Sequence, residues 1–317
     1  MRIVVEEFDL ERDTMGKLFK VIPVLLIITL LIGCGSNLST YKIDFSEYEK
    51  QPTDSKEDKQ DKQDPIRLAI SSVLSPTDTI IYYRKIANFI GKKLKRPAIL
   101  IQRRSYNEIN NLMINGGADI ALLPTGAYIT YRENGGFEGI ATQERFGSPY
   151  YYGYIVASVE SGFSTIDDLE GKDVAFYDPS SYSGYLFVEE ELENLGEDIK
   201  SFFGRHVYTY SHERSLSAVL NNTVDAAAVN SLVFETMERE NPKEVKILKI
   251  IGKSMPLGTG PVVIRSNLAK EEKEMIKASF LTMHEQDSMK IALQGLYIDR
   301  FIPFDSEYYE VLYEMDK

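Results

Sequence analysis

The sequence predicts an α/β protein of two lobes, each a mainly parallel sheet flanked by helices. Three observations lead there. Short apolar runs alternate with amphipathic, capped stretches over residues 66–124, and the same alternation returns over 172–231. A helix, a turn, an aspartate and an apolar strand occur as "NGGADIALLP" and again as "NNTVDAAAVNS". Two extended runs, "GSPYYYGYIVASV" at 147–159 and "GTGPVVIRSNL" at 258–268, supply the two crossings that a chain going out and returning through a hinge requires.

In the first lobe, "IRLAISSVL" is a buried strand that stops at Ser75-Pro76, and 77–96 is a helix capped by Thr77 or Asp78. "AILIQRR" is the next strand. Ser105 followed by Glu108 forms a capping box that opens a helix over 105–119, and "DIALLP" is the third strand. The second lobe repeats the order: strand 172–178, helix 183–195, strand 205–211, helix 213–222 and strand 224–231. Residues 268–317 are expected to form helices that return to the first lobe. Asp119 and Asp225, each placed before a strand, read as structural turn residues. The lobes are expected at 66–155 plus 258–317 and at 156–257.

The first 65 residues read differently. The apolar run Val21–Ile32 follows Lys17 and Lys20, as in a secretory signal. It is shorter than the roughly 20 residues that a membrane-spanning helix needs. Leu31-Ile32-Gly33-Cys34 fits a lipobox, so residues 1–33 are expected to be a signal peptide and Cys34 the lipidated mature N-terminus. Residues 1–14 carry five acids against two arginines, and "MGKLFK" from Met15 has the basic start that they lack. They are expected to be an upstream extension. Residues 34–65 end in "QPTDSKEDKQDKQDP", too polar to offset the entropy of ordering, and read as a tether. The expected location is extracytoplasmic and lipid-anchored.

A formal net charge of −12 argues against a nucleic-acid partner. A single cysteine excludes an intramolecular disulfide framework. The histidines His206, His212 and His284 have no recognised metal or catalytic spacing, and neither G-x-S-x-G nor HExxH occurs, so no catalytic residue, metal or cofactor is expected.

The candidate site lies in "FYDPSSYSGYLF". A strand ends at Tyr177 or Asp178, Pro179 prevents its continuation, and a helix starts near Ser183 or Gly184. A helix start offers unpaired N–H groups and the positive end of the macrodipole, and serines add neutral donors. Ser183 also serves as an ordinary cap in the simpler reading.

"DVAFYDPSSYSGYLF", the downstream "SHERSLSAVLNNTVDAAAVNS", and the upstream "SYNEINNLMINGGADIALLPTGAYI" and "YYYGYIVASVESGFSTIDDLEGKDVAF" together resemble the phosphate/phosphite/phosphonate substrate-binding proteins of ABC transporters. The resemblance covers nearly all of 66–268. It implies a type II periplasmic-binding-protein fold that closes on its ligand by a hinge, with no catalytic activity. It implies oxyanion contacts from Ser181, Ser183 and Gly184, with Tyr182 standing where the family has threonine. His212 is the implied histidine donor, whose protonation would raise affinity at lower pH. Tyr106 and one of Tyr151 and Tyr152 are the implied tyrosine contacts. Asn230, neutral at a strand end, is expected to line the cleft and tilts the cargo toward an anion with a small substituent or none. The implied partners are this anion and the membrane permease subunits, with the chain itself a monomer. A sensory lipoprotein reporting to a membrane kinase through the same cleft is the alternative, and neighbouring genes would separate the two.

Overall fold

A computed structural model describes residues 64–71 and 73–310. The signal, lipidation and tether expectations, Cys34 among them, fall outside these residues apart from Asp64 and Pro65. Among the described residues no helix is long and apolar enough to cross a membrane.

The chain opens with β1 (Ile66–Ile70), α1 (Pro76–Leu94), β2 (Ala98–Gln102), α2 (Tyr106–Ile114), β3 (Ile120–Leu122), α3 (Thr125–Tyr131) and β4 (Phe137–Glu144). Strands β2, β1 and β3 pair in parallel, in that order. The side chains of β1 explain why it is central. Ile66, Leu68 and Ile70 point to the face covered by Ile86 and Ile90 of α1, while Ala69 points to the face covered by Ile109 and Met113 of α2. A strand buried on both faces reads as a nearly continuous apolar run. Helix α1 starts ahead of the expected Thr77 or Asp78, at Ser75. Helix α2 starts where the capping pattern placed it, with the Ser105 N–H donating to the Glu108 carboxylate at 3.3 Å.

After a short strand β5 (Tyr150–Tyr151), the chain builds a second sheet from β6 (Gly153–Ser158), β7 (Asp173–Phe176), β8 (Arg205–Tyr208), β9 (Ala226–Asn230) and β10 (Leu248–Lys253). Its helices are α4 (Phe187–Asn194), α5 (Ile199–Phe202), α6 (His212–Leu220), α7 (Ser231–Glu240) and α8 (Pro242–Val245). The order β8-β7-β9 is again parallel and mirrors β2-β1-β3. In β9, Ala226 and Ala228 face one cluster while Ala227 and Val229 face the other, and small side chains let helices close on both sides.

The chain returns through β11 (Leu257–Gly258), which pairs with β5, and adds β12 (Pro261–Arg265) beside β3. Helices α9 (Lys270–Leu281) and α10 (Asp287–Gln294) then cover α1, with Ile276, Phe280, Met289 and Leu293 joining the β1–α1 core. The segment ends in β13 (Arg300–Pro303), a strand absent from the sequence expectation, which pairs with β4.

Both sheets are therefore mixed. Each keeps a parallel trio, and the strands beyond it run antiparallel. The reason is the crossing. Strand β6 enters the second sheet, and β12 re-enters the first, from the end where the loops leave the parallel strands. Asp119 and Asp225 sit at the opposite end. Asp119 accepts from the Arg67 N–H at 2.8 Å and pairs with Arg67 and Arg265, and Asp225 accepts from the Asp173 N–H at 2.9 Å.

Candidate functional site

The C-terminal ends of both parallel trios face a single cavity. Its volume is about 30 Å³. One water needs roughly 10–15 Å³ on that measure, so it holds a group of a few heavy atoms. From the first sheet come Ser71, Tyr83, Tyr106, the turn Leu123–Gly126, Gln143 and Arg145. From the second come Ser181, Tyr182, Ser183, Asn230 and Leu232, and the crossings add Tyr151, Thr259 and Gly260.

The turn after β7 is built for donors. Its helix begins with a π-turn, Tyr182–Leu186, that runs into α4. Such widened turns occur frequently at functional sites. The cap is Ser181, whose Oγ accepts from the Gly184 N–H at 3.2 Å. Its O–H proton is thereby left to donate elsewhere. Ser183, which the simpler reading made the cap, is instead in the first turn, its hydroxyl facing Tyr151. The Tyr182 and Ser183 N–H groups stand where a helix has no partner of its own for them.

The opposing wall is the start of α3. A Cβ on Gly126 would lie 2.2 Å from the Ser180 carbonyl oxygen and 2.7 Å from the Tyr182 nitrogen, so only glycine lets the two turns approach this closely. The Tyr151 phenol reaches the hydroxyls of Thr125 and Ser183, and burial raises its pKa. Tyr182 is 2% exposed and pushed up to about 12, first by burial. Asn230 caps α7 through Oδ1, which accepts from the Leu232 N–H at 2.9 Å, leaving its NH₂ group as a donor. Tyr106, at the start of α2, packs 5.0 Å from the Tyr177 ring, and burial raises its pKa well above the usual value.

Three expected residues are not in the cavity lining. Gly184 supports it from behind: a Cβ there would meet Tyr177 Cβ at 2.5 Å. Tyr152 points to the other face of the chain, stacked on Tyr154, with Lys253 Nζ 3.6 Å from its ring centre. Adjacent residues of an extended segment face opposite ways, so only Tyr151 of this pair lines the cavity. His212 lies one layer deeper, stacked on Tyr177 at 4.3 Å and fully buried. Its Nδ1 accepts from the Asn230 N–H at 3.2 Å, which puts the proton on Nε2, a buried atom without a protein partner. Burial lowers its pKa to about 3. Burial thus favours the neutral ring and runs against the expected gain in affinity through His212 protonation, with Nε2–H left as a neutral donor.

Apart from Tyr106, the sequence does not point to the first-sheet wall. Thr125 and Gly126 follow β3 in "LLPTGAY" as Ser231 follows β9, and that echo was a usable signal. Gln143, Arg145 and Tyr83 carried none. Among the described residues, every member of the lining is neutral except Arg145, and no aspartate, glutamate or lysine belongs to it. Among the described residues no group of three or more histidine, cysteine, aspartate or glutamate side chains is placed to hold a metal ion.

Two lobes joined by paired crossings, with a donor-lined cavity between the strand ends, define a type II periplasmic binding protein. Solved structures share the fold. A binding protein component of an ABC phosphonate transporter from Pseudomonas aeruginosa superposes with TM-score 0.73 at 23% identity, over 80% of this chain and 86% of that one. PhnD1 from Prochlorococcus marinus (MIT 9301), in complex with methylphosphonate, gives TM-score 0.70 at 18% identity, over 79% and 96%. The family model for the ABC transporter, phosphonate, periplasmic substrate-binding protein matches residues 68–309, and the chain belongs to that family. Its curated relatives include the phosphonates-binding periplasmic protein of Escherichia coli (strain K12), 30% identical over 47% of this chain and 45% of that protein. The match thus spans less than half of the E. coli protein. The phosphate-import protein PhnD of Mycolicibacterium smegmatis is 26% identical over 68% of this chain and 70% of its own. These relatives are substrate-binding transport proteins, not enzymes.

Proposed function

We propose that this protein is an extracytoplasmic, lipid-anchored binding protein that encloses one small phosphorus oxyanion, of the phosphate, phosphite or methylphosphonate kind, and presents it as a monomer to the permease of an ABC importer. The observation that carries the reading is the convergence of the Ser181–Ser183 helix start, Thr125, Tyr151 and Asn230 on one cavity whose lining, among the described residues, has no carboxylate. Neutral hydroxyl and N–H donors at a helix start suit an oxyanion. They also let it go again, as a transport protein must.

The same lining argues against an aminoalkyl phosphonate. An ammonium group buried without an anionic partner is heavily penalised, and Asn230 offers it an amide already engaged with α7. Tyr182, standing where the family pattern has threonine, fills space that a longer substituent would need. The Ser180–Gly126 approach belongs to the closed arrangement of the two turns, and a ligand favours closure only through contacts that the open arrangement lacks.

The test is a thermal-shift panel on the purified protein with phosphate, phosphite, methylphosphonate, 2-aminoethylphosphonate and sulfate. A ligand at a hundred times its Kd adds about 2.7 kcal/mol to the folded state. Stabilisation by phosphate, phosphite or methylphosphonate, with none from the aminoethyl compound, is expected. Stabilisation by the aminoethyl compound alone, or by none of the panel, contradicts the reading.

A further inference from the structure

The side chains of Gln143 and Arg145, two residues apart at the end of β4, enter the same wall of the cavity. Arg145 is 6% exposed. Its Nε and Nη2 donate to Gln143 Oε1 at 3.2 and 2.6 Å, and its Nη1 donates to the Leu296 carbonyl. The Tyr83 phenol also lies against the guanidinium. All of these partners are neutral. The Gln143 amide is committed at both ends, because its Nε2 donates to the Gly260 carbonyl at 2.7 Å. The carboxylate that bears on Arg145 from further off is Asp299, an exposed residue whose Oδ2 accepts from the Gly147 N–H at 2.7 Å.

Other arginines of the described residues show what is missing. Arg67 and Arg265 share Asp119, Arg96 pairs with Glu272, Arg205 with Asp173, and Arg300 with Glu144. Arg145 is more buried than any of these and forms no ion pair within 4 Å among the described residues. Burial accordingly lowers its pKa. A buried cation held by dipoles alone lacks its counter-charge. A guanidinium has five N–H donors, and three are used on Gln143 and Leu296 and a fourth meets Tyr83.

We infer that Arg145 supplies the fixed positive charge of the anion site, making the cavity select a doubly charged anion over a singly charged one of the same shape. The inference rests on the proposed anion-binding reading and adds to it the charge state of the cargo and the residue that reads it. Gln143 and the Leu296 carbonyl hold the guanidinium in place without neutralising it, and the bound anion provides the missing negative charge.

Calorimetric titration with methylphosphonate on either side of its second ionisation, at pH 6 and pH 9, tests this. Over that range the ligand is what titrates at the cavity. Burial raises the phenols of Tyr106, Tyr151 and Tyr182 and keeps His212 neutral, while Asp178, in the turn after β7, and Glu213, in α6, both raised by burial, are not part of the lining. The wild type should bind the dianion at least about tenfold more tightly than the monoanion, because a second unit charge near a buried cation adds at least that factor. Arg145→Met should bring this ratio close to one, and Arg145→Lys should keep most of it. Arg145→Gln, a neutral replacement that keeps hydrogen-bonding groups in the wall, should also collapse the ratio, and it decides the matter if Arg145→Met does not fold. A wild-type ratio that survives both Arg145→Met and Arg145→Gln, with the affinities for both forms reduced equally or not at all, would leave Arg145 a purely structural residue. Failure of the wild type to bind any phosphorus oxyanion defeats the anion reading itself, and shows before any substitution is made.

Discussion

Helix α1 and the helix that starts at Tyr182 occupy equivalent places, each following the central strand of a parallel trio, yet their N-termini are used in opposite ways. Ahead of α1, the Ser75 N–H donates to the Glu213 carboxylate of the second lobe at 2.7 Å. That helix end already has its anion, supplied by the protein. At Tyr182 the cap is a neutral serine, the opposing turn brings Thr125 and Gly126, and no carboxylate among the described residues lines the space. The difference is what the proposed reading rests on: it assigns the external anion to the helix start whose donors the chain has left without a charge of its own.

The comparison is broken most directly at Gly126. Gly126→Ala puts a Cβ 2.2 Å from the Ser180 carbonyl. Backbone on both sides resists, so the closed contact should lose about 1–3 kcal/mol, or roughly five- to 150-fold in affinity. The core clusters away from the turn are untouched, so calorimetry should show the loss while thermal unfolding without ligand changes little.

The layer behind the Tyr182 turn is sharpened by pH. Burial lowers the His212 pKa to about 3 from the ordinary 6.5 of a histidine. The unfolded chain therefore binds a proton that the folded protein refuses, and stability falls as pH drops below 6.5. The loss is about 1.4 kcal/mol per unit, or about 2 kcal/mol by pH 5. Denaturant titrations at pH 7 and pH 5 should show it, and His212→Gln should flatten the slope. An affinity for methylphosphonate dianion, corrected for ligand ionisation, should not rise between pH 8 and pH 5.

The smallest effect is expected at the protein-supplied anion. Glu213→Gln keeps an acceptor for the Ser75 N–H but removes the charge, and should cost about 0.3–1 kcal/mol of stability. Methylphosphonate affinity should move by less than it does in Gly126→Ala. A larger loss there would mean that both helix ends serve the ligand.

Much of this was legible in the sequence. The apolar runs and caps of 66–124 and 172–231 located both parallel trios, and the serine-rich turn marked one wall of the cavity. What was not legible has physical reasons. Strand β13 is four residues long and alternates too briefly to show a period. Tyr151 and Tyr152 are equivalent by composition, and only the register of the crossing shows which of them faces inward. Arg145 sits in "ERFGSP", where nothing marks a buried arginine from a solvated one. The role proposed for it depends on the lack of a carboxylate beside it among the described residues, and absence in three dimensions leaves no trace in a local motif. Ser183 was read as the cap because the π-turn, which moves the helix start back to Ser181, has no recognisable sequence signature.

The central claim is that the Tyr182 helix start holds an oxyanion rather than merely capping itself, and the paired substitutions Ser181→Ala and Ser183→Ala test it most directly. Methylphosphonate affinity and unfolding free energy would be measured for both and for the wild type. Ser181→Ala removes the cap and should cost about 1 kcal/mol of stability. Ser183→Ala leaves the cap in place and should weaken binding by tenfold or more, the loss of a hydrogen bond to a charged group being about 1.5–3 kcal/mol, with stability nearly unchanged. If Ser183→Ala binds methylphosphonate as tightly as the wild type, the hydroxyls of this turn serve the fold alone and the account is wrong.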